Sequence, residues 1–404
     1  MPARFRVSSR AVISGLLIAG IATPQPMLAQ HGLPSSTALG PSSIVLPAGR
    51  VVVPLDLVLG GRAAIHVMVN GRGPFLFAIE TGAPIVIVTA RTAAAAHIVP
   101  AAHQVDPHIR WPGGSLATAL TIDSLQAGGA TFRDQPVFVG PDFLPGVDGL
   151  LGLPAYADLL MTVDYPGNHL VFERGALPAA DNVESFGVVM LNGRLGIPVD
   201  IGGKRRPALI DTQGADDIGV TTSVAGELHP LAPWIEDGRV RIGDHEPVVQ
   251  RAARLDGELR IGRFVQRGPI IHAHEPVGND AAITLGIGTL RHFQVTIDQH
   301  DNLIRLHRSD SVIPLPPPLL GIGARLDTLG GRVVVVTVAA GGPVSHAGLA
   351  TGDVVLEIDN HAAMDAMAPG ALSMLTQRGT PIRFSVDRGG RVILTDVLPD
   401  ILVR

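Results

Sequence analysis

The sequence predicts a mostly β protein that is built from two homologous lobes and a separate C-terminal domain. The chain has 404 residues, more than a single hydrophobic core normally serves, so two or three domains are expected. Its 48 glycines and 33 prolines favour many short strands joined by turns over long helices. Two stretches of the chain recur further along it, and a cluster of prolines then separates the last segment from this repeat.

The composition excludes several classes of protein. Apolar residues make up 46% of the chain and charged residues 17%, which excludes a disordered polyelectrolyte. The absence of cysteine excludes disulfides, thiolate metal sites and thiol nucleophiles. The 31 basic residues form no dense cluster, so no nucleic-acid partner is expected. No phosphate-binding loop or complete set of metal ligands is found, and no cofactor is expected.

Residues 1–29 have the pattern of a secretory signal peptide. Three arginines form a basic start, residues 11–22 form an apolar run, and Ala29 is a small residue at the expected cleavage site. The apolar run is too short to span a membrane comfortably. We therefore expect an exported protein, periplasmic or secreted, with no membrane span in the mature chain. An uncleaved N-terminal anchor is the alternative.

The two lobes are inferred from an internal repeat. Two kinds of segment recur, one at residues 76–89 and 208–221, the other at residues 149–172 and 283–306. In the first kind an apolar strand runs into an acid and a threonine; in the second an apolar pair before glycine leads to a strand that ends in aspartate. One nearly constant spacing relates Glu80 to Asp211, Gly152 to Gly286 and Asp164 to Asp298. This common spacing predicts homologous lobes at residues 30–180 and 181–312.

The pattern changes after residue 312. Prolines at 314 and 316–318 predict a stiff, extended connector. Beyond it we expect a strand at Arg332–Val338, a helical stretch near Met364–Gln377 and a hairpin that turns at Gly389-Gly390. Residues 313–404 are therefore predicted to form a proline-rich linker and a third domain.

The repeated acid–threonine motifs are the strongest candidates for chemistry. They read Glu80-Thr81-Gly82 and Asp211-Thr212-Gln213-Gly214. Two carboxyl groups within hydrogen-bond distance cannot both ionise cheaply, so one pKa falls, the other rises, and the pair shares a proton. Such a pair can take a proton from water while it protonates a carbonyl oxygen, which hydrolyses an amide. The threonines can hydrogen-bond across the interface, and glycine lets backbone N–H groups approach the carboxylates.

Other polar residues have simpler interpretations. Asp164 and Asp298 are related by the repeat, but each precedes a turn and is interpreted as its initiating residue. His272 and His274 lie on one face of a predicted strand. Because the spacing places no third ligand beside them, no metal site is expected.

Residues 45–310 resemble the pepsin and retropepsin superfamily of aspartic peptidases. The resemblance rests on the two acid–threonine turns and on the apolar segments Leu150-Leu151-Gly152 and Thr284-Leu285-Gly286. The chain is similar to exported bacterial members of this superfamily that have two retropepsin-like lobes in one chain. The resemblance implies two retropepsin-like β-barrel lobes and catalytic roles for Glu80 and Asp211. It also implies that five residues support the cleft between the lobes: Thr81, Gly82, Thr212, Gln213 and Gly214.

The C-terminal unit resembles a PDZ domain. The segment Gly321-Ile322-Gly323-Ala324 matches the carboxylate-binding loop, and residues 342–355 match the core of bacterial PDZ domains. The resemblance implies that the backbone N–H groups of Ile322, Gly323 and Ala324 hold the carboxylate of a peptide that adds as a strand. The expected partner is thus a peptide or protein, with a protein C-terminus as the ligand of the PDZ groove.

Two departures from the family pattern leave two functions open. Glu80 stands at the position of the first catalytic aspartate, and its extra methylene displaces the carboxyl by about 1 Å, which can cost on the order of a hundredfold in rate. Gln213 replaces the second turn glycine; it is strained if a positive φ is required, and otherwise its amide crowds or hydrogen-bonds the carboxylates. One hypothesis is an aspartic-type endopeptidase. The other is a catalytically degenerate peptide-binding or assembly module that uses the cleft and the PDZ groove.

Overall fold

The computed structural model confirms that the protein is mostly β, with 54% of its residues in strands. It describes residues 40–58, 61–100, 110–111, 114–115, 119–140, 146–214, 216–240, 248–278, 281–329, 331–338, 341–366 and 379–403. The predicted signal peptide at 1–29 lies outside the described residues.

Six strands of the first lobe close into a barrel. The strands before residue 181 are β1 (Ser43–Val45), β2 (Arg50–Pro54), β3 (Asp56–Val58), β4 (Arg62–Val69), β5 (Arg72–Glu80), β6 (Ile87–Thr89), β7 (Val99–Pro100), β8 (Arg110–Trp111), β9 (Gly114–Ser115), β10 (Ala119–Ala127), β11 (Ala130–Gly140), β12 (Gly149–Gly152), β13 (Leu160–Asp164) and β14 (His169–Glu173). Strands β11, β6, β12, β5, β4 and β10 pair in that order, and β10 pairs again with β11, which closes the ring. Their alternating pattern buries large apolar side chains such as Ile65, Phe77 and Phe132.

The second lobe repeats this topology. Its strands are β15 (Ser185–Gly187), β16 (Val189–Leu191), β17 (Arg194–Ile201), β18 (Lys204–Ile210), β19 (Ile218–Thr221), β20 (Ile235–Val240), β21 (Val248–Arg254), β22 (Glu258–Ile261), β23 (Phe264–Arg267), β24 (Ile270–His274), β25 (Ile283–Leu285), β26 (Gln294–Asp298) and β27 (Leu303–His307). In the first lobe β12 lies between β5 and β6, parallel to β5 and antiparallel to β6. In the second lobe β25 lies in the same way between β18 and β19. The internal repeat predicted from the spacing is therefore present in the fold.

One six-stranded sheet joins the lobes. Its order is β15, β27, β26, β13, β14 and β2, so β13 of the first lobe pairs with β26 of the second at the centre. Thr162 and Thr296, which the repeat relates, face each other there with their Oγ1 atoms 2.8 Å apart. Equivalent residues thus meet at the centre of the molecule, as a pseudo-twofold axis requires.

The repeated aspartates of this sheet initiate turns, as predicted. Asp164 Oδ1 accepts the backbone N–H of Gly167 at 2.8 Å. Asp298 Oδ1 accepts the backbone N–H of Asp301 at 3.0 Å. An aspartate that binds a backbone N–H shortly after it in the chain stabilises a turn, so these acids are explained without a catalytic role.

The C-terminal segment has its own sheet and apolar core. Its strands are β28 (Leu319–Gly321), β29 (Ala324–Leu329), β30 (Arg332–Val338), β31 (Val354–Ile358), β32 (His361–Ala362), β33 (Ile382–Arg388), β34 (Arg391–Val397) and β35 (Asp400–Val403). Strands β29, β30, β31, β33 and β34 pair in that order, and β28 pairs with β35. The predicted strand at Arg332–Val338 and the hairpin at Gly389-Gly390 are both present. Val335, Ile358 and Phe384 are fully buried in the core of this unit.

The helices are short. They are α1 (Ala90–Ala95), α2 (Thr222–Ala225), α3 (Ile287–Leu290), α4 (Pro343–His346) and α5 (Ala363–Ala366), with 3₁₀ turns at Pro47–Gly49 and Leu153–Tyr156. The helical stretch expected near Met364–Gln377 begins in α5, and the remainder lies outside the described residues. Within the described part of the chain, no helix has the length and apolar character that a membrane span needs.

The proline-rich connector is bound to the second lobe. Arg254 donates from Nη2 to the carbonyl oxygen of Pro316 at 3.0 Å. Leu319, at the start of β28, packs beside the buried Ala252 and Ile270. Since each proline lacks an N–H donor, the connector contributes mainly carbonyl acceptors, which the lobe satisfies through its side chains.

Candidate active site

Glu80 and Asp211 occupy equivalent strand ends in the two lobes. Glu80 is the last residue of β5 and pairs with Gly152 of the parallel strand β12. Asp211 follows β18 directly, and its backbone N–H donates to the carbonyl oxygen of Leu285, in the parallel strand β25, at 3.1 Å. Each acid therefore lies at the end of its strand, beside the apolar strand of the same lobe, which is β12 for Glu80 and β25 for Asp211.

Thr81 and Thr212, both fully buried, connect the two turns. Thr81 Oγ1 donates to the carbonyl oxygen of Ile210 at 2.7 Å, and Thr212 Oγ1 donates to that of Ile79 at 2.6 Å. The backbone N–H of each threonine donates to the Oγ1 atom of the other at 3.2 Å. Because each acid directly precedes one of these threonines, the exchange brings the two predicted carboxyl groups to one site.

The two carboxyl groups receive different numbers of hydrogen bonds. Asp211 Oδ1 accepts the backbone N–H of Gln213 at 2.8 Å and that of Gly214 at 2.9 Å. Glu80 Oε1 accepts the backbone N–H of Gly82 at 2.7 Å. A hydrogen bond to a carboxylate stabilises its charged form, so the environment favours the negative charge on Asp211 over Glu80.

Burial and mutual repulsion set the protonation of the pair. Burial, followed by the charge of Asp211, raises the pKa of Glu80 to about 8, against the lowering effect of the Gly82 N–H. Burial also raises the pKa of Asp211, and the N–H groups of Gln213 and Gly214 oppose this rise. Burial and mutual repulsion therefore favour a pair that shares one proton, and the hydrogen bonds favour Glu80 over Asp211 as its position.

The glutamine in the second turn is not strained. Neither Gly82 nor Gln213 has a positive φ, so the backbone does not require glycine at this position. A Cβ atom on Gly82 would lie 2.9 Å from Glu80 Oε1, closer than such atoms approach in proteins. A side chain at Gly82 would therefore require the Glu80 carboxyl to move, whereas the shorter Asp211 leaves space for the side chain of Gln213.

The amide of Gln213 braces the lobes instead of crowding the carboxyl groups, which corrects the second expectation for this residue. Its Nε2 donates to the carbonyl oxygens of Ile79 at 2.7 Å and Ala63 at 3.2 Å, both in the first lobe. Its backbone carbonyl oxygen accepts from Nε of Arg62, also in the first lobe, at 2.6 Å. Gln213 thus adds a second set of cross-lobe hydrogen bonds beside the threonine pair.

Two arginines of the site were missed by the sequence analysis. Arg62 begins β4 and Arg194 begins β17, and the spacing between them is that of the repeat. The positive charge of each lowers the pKa of both Glu80 and Asp211. These charges counter part of the cost of holding an ionised carboxylate in a buried site. The repeat spacing itself could have identified them.

The second lobe places further polar side chains beside its acid. Gln250 Nε2 donates to Asp216 Oδ2 at 2.6 Å, and His272 Nδ1 lies 3.7 Å from Asp216 Oδ1. In the first lobe the position equivalent to Asp216 is Ile85, so the two sides of the site differ in polarity. His272 and His274 are buried in β24. Across the described ranges, no three histidine, aspartate or glutamate side chains are grouped to hold a metal ion.

The predicted carboxylate-binding loop lies between β28 and β29. Ile322 is buried, and its carbonyl oxygen accepts the backbone N–H of Val344 at 2.9 Å. Gly323 has φ +67°, a conformation that favours glycine. Ala324 begins β29, which stands at one end of the strand order of its sheet. An edge strand that follows such a loop can pair with an added peptide.

Two family models match the sequence. Residues 65–155 match the aspartyl protease family, and residues 318–398 match the PDZ domain family. A comparison with curated proteins gives no match. Residues 65–155 therefore form an aspartyl protease-like domain, and residues 318–398 form a PDZ domain.

The solved structures that match include aspartic proteinases and a PDZ domain. The aspartic proteinase of Irpex lacteus is 13% identical, with a TM-score of 0.48, and the match covers 66% of this chain and 100% of that one. A retropepsin-like aspartic protease from Rickettsia conorii is 18% identical, with a TM-score of 0.24, over 33% of this chain and 92% of that one. The HtrA3 PDZ domain, solved with a phage-derived ligand, is 19% identical, with a TM-score of 0.19, over 20% of this chain and 86% of that one.

Proposed function

We propose that this chain, which contains an aspartyl protease domain and a PDZ domain, hydrolyses peptide bonds with Asp211 as the base and Glu80 as the acid. The observation that carries the proposal is the unequal hydrogen bonding of the two carboxyl groups at one buried site. Two backbone N–H groups favour a carboxylate at Asp211, whereas burial keeps the proton on Glu80. An acid and a base held together are what amide hydrolysis requires.

In the proposed reaction, a water molecule between the two carboxyl groups attacks the scissile carbonyl carbon. Asp211 takes a proton from this water, and Glu80 gives its proton to the carbonyl oxygen, which yields a neutral tetrahedral diol. When the diol collapses, the C–N bond breaks, Asp211 returns its proton to the departing nitrogen, and one hydroxyl returns a proton to Glu80. One water is consumed, and a carboxylic acid and an amine are formed.

The pH dependence of activity tests this assignment of protons. We expect peptide hydrolysis to fall as the pH rises through about 8, because Glu80 then loses the proton that it must donate. At the acidic limit, activity should fall again as Asp211 becomes protonated. The measurement is kcat/KM for an unstructured peptide across an acid-to-alkaline series, which reports the ionisations of the free enzyme.

The same ionisation has a readout that does not need activity. Because the pKa of Glu80 is raised on folding, the stability that its protonated form confers is present below the unfolded pKa and lost as the pH rises through about 8. The Glu80→Gln variant should lack this loss in a denaturation series over the same pH range. An unchanged pH profile of stability in that variant would contradict the protonated state assigned to Glu80.

A second candidate function is a non-catalytic peptide-binding or assembly module, and the presence of a PDZ domain at 318–398 favours it. In this function the groove beside β29 binds a protein C-terminus through the N–H groups of Ile322, Gly323 and Ala324. Peptide binding by the groove is equally compatible with a peptidase that captures its substrate. The two functions therefore differ in catalysis alone.

Binding to the PDZ groove should depend on a free C-terminal carboxylate. We expect peptides from a C-terminal library to lose at least about tenfold in affinity when amidated, since a charge-assisted hydrogen bond contributes about 1.5–3 kcal/mol. Fluorescence polarisation of matched free and amidated peptides on the full chain measures the difference. Equal affinities would exclude carboxylate capture by residues 322–324.

The proposed place of action is outside the cytoplasm, in the periplasm or the medium. The support for this is the signal-peptide pattern of residues 1–29, with its basic start, apolar run and small residue at Ala29. Mass spectrometry of the mature N-terminus after expression with the natural leader tests it, since cleavage near Ala29 is the expected result. An intact leader on the exported or membrane-bound protein would support the uncleaved anchor instead.

A further inference from the structure

A basic pocket of about 440 Å³ lies apart from the two acids. It is formed by the turn between β13 and β14, the residues between α3 and β26, and the end of β27. Four of its lining residues are basic: Arg291, His292, His307 and Arg308. Its size falls within the range of small-molecule sites, but its lining is polar and positively charged.

Arg308 is a largely buried cation of the pocket. Only 14% of its side chain is exposed, and its Nε and Nη1 atoms are shielded from solvent without a hydrogen-bond partner. Its Nη2 lies 4.0 Å from Asp310 Oδ2, a side chain that is 79% exposed, and its guanidinium stands 5.9 Å from the ring of Phe293. Because a buried cation is costly, the negative charge of an anion in the adjoining pocket would stabilise it.

The side chain of His292 is partly buried beside two arginines. Burial, followed by the charges of Arg291 and Arg308, lowers the pKa of His292 to about 4. The imidazole is therefore neutral at physiological pH and can donate one N–H to a ligand. Arg291 is exposed at the rim, so it is free to orient toward an incoming group.

Two carboxylates next to the pocket are bound by the lining residues His307 and Gln294. Glu184 Oε2 lies 2.9 Å from His307 Nδ1, and Arg263 also pairs with Glu184. Asp164 Oδ2 accepts from Gln294 Nε2 at 2.9 Å. These contacts hold His307 and Gln294 in place and leave the two arginines as the permanent charges that face the cavity.

The first lobe does not repeat this pocket. The spacing that relates Asp164 to Asp298 places Ala157, Asp158 and Glu173 at the positions of Arg291, His292 and His307. The first lobe thus has an alanine and two acids where the second lobe has an arginine and two histidines. Arg308 alone keeps a basic counterpart, Arg174. Because the fold at these positions is common to both lobes, the basic side chains are a feature of the second lobe and not a requirement of the architecture.

We infer that this pocket binds the phosphoryl group of a small, polar organic molecule. Two arginines suit a dianion, and the guanidinium group matches phosphate oxygens in geometry. A water molecule occupies about 30 Å³ of liquid, so the cavity has room for more than a bare phosphate ion. The occupant is therefore expected to extend beyond the phosphoryl group.

Calorimetric titration of the full chain tests the inference with inorganic phosphate, glycerol 3-phosphate and acetate as probes. We expect both phosphates to bind more tightly than acetate, and binding to weaken as sodium chloride is added. Arg308→Gln and Arg291→Gln should each lower phosphate affinity by at least about tenfold, as loss of a hydrogen bond to a charged group implies. The matched control is Arg174→Gln, the same change at the equivalent position of the first lobe.

The outcomes are distinct for each part of the inference. Tighter binding of glycerol 3-phosphate than of phosphate supports an organic occupant, whereas equal affinities support a site for free phosphate and contradict that part. Acetate binding as tight as phosphate would overturn the phosphoryl class. If Arg291→Gln, a change at an exposed residue that leaves folding intact, behaves like Arg174→Gln, the site itself is excluded.

Discussion

Replacing Asp211 by Asn is expected to lower the rate of peptide hydrolysis by roughly 10²–10⁴-fold, the contribution of a positioned general base. The amide cannot take the proton of the attacking water, although it fits the space of the carboxylate. Glu80→Gln should have an effect of similar size, because the amide cannot supply a proton to the carbonyl oxygen. The measurement is cleavage of an unstructured peptide library by the natural chain and both variants across a pH series.

Asp310→Asn is the control for these two variants, since it makes the same chemical change at a carboxylate that is 79% exposed. It should hydrolyse peptides at the rate of the natural chain. Equal turnover in all four proteins would exclude the catalytic pair. Activity that appears only after Glu80→Asp is combined with Gln213→Gly would instead support the degenerate peptide-binding module.

Gly152→Ala is expected to destabilise the first lobe by at least about 1–3 kcal/mol, the usual cost of overpacking a filled core. A Cβ atom on Gly152 would lie 2.7 Å from the carbonyl oxygen of Ala83 and closer still to that of Ile85. Both atoms belong to the backbone that follows Glu80, so they cannot rotate away as a side chain would. Chemical denaturation followed by circular dichroism measures the loss.

The matched control for this variant is Gly187→Ala, because Gly187 also lies in a strand, has no positive φ, and has no neighbour within 4 Å of an added Cβ atom. Its stability should stay within about 0.5 kcal/mol of the natural chain, as is usual for surface changes. If the two glycine variants unfold at the same denaturant concentration, the close approach of β12 to the turn is not a constraint on folding. Gly286→Ala should behave like Gly152→Ala, since a Cβ there would lie 2.9 Å from the carbonyl oxygen of Gly214.

Much of the fold could be predicted because gene duplication leaves its record in the order of residues. One nearly constant spacing relates Glu80 to Asp211, Gly152 to Gly286 and Thr162 to Thr296. Residues at equivalent positions of two homologous lobes are related by the pseudo-twofold axis, so those near the axis meet. The contact of Thr81 with Thr212 follows from this symmetry and from hydroxyl groups that can donate and accept.

The role of Gln213 could not be predicted, because its partners are distant in sequence. The acceptors of its amide, the carbonyl oxygens of Ala63 and Ile79, belong to the first lobe, far earlier in the chain. The family pattern has a glycine here, so comparison of motifs marks the glutamine as a defect. The side chain of Gln213 points toward the first lobe because of the way in which the two turns pack together.

The basic pocket of the second lobe was also not predicted. Arg291 follows α3 and Arg308 follows β27, no motif joins them, and Pro166 comes from the other half of the chain. They meet because β13 and β26 pair at the centre of the joining sheet. A comparison of the two lobes residue by residue, rather than a search for motifs, is the analysis that could have found the difference in charge.

By itself, the order of residues determined the β class of this protein, its two-lobed repeat, its C-terminal PDZ-like unit and the equivalent positions of Glu80 and Asp211 in that repeat. These features depend on local residue patterns and on a repeat spacing, and both can be read directly from the sequence. Only the tertiary structure decided which acid the backbone N–H groups favour in its charged form and what Gln213 binds. The physical reason is that a proton's position depends on burial and on the direction of a few N–H groups, and both arise only when distant segments pack together.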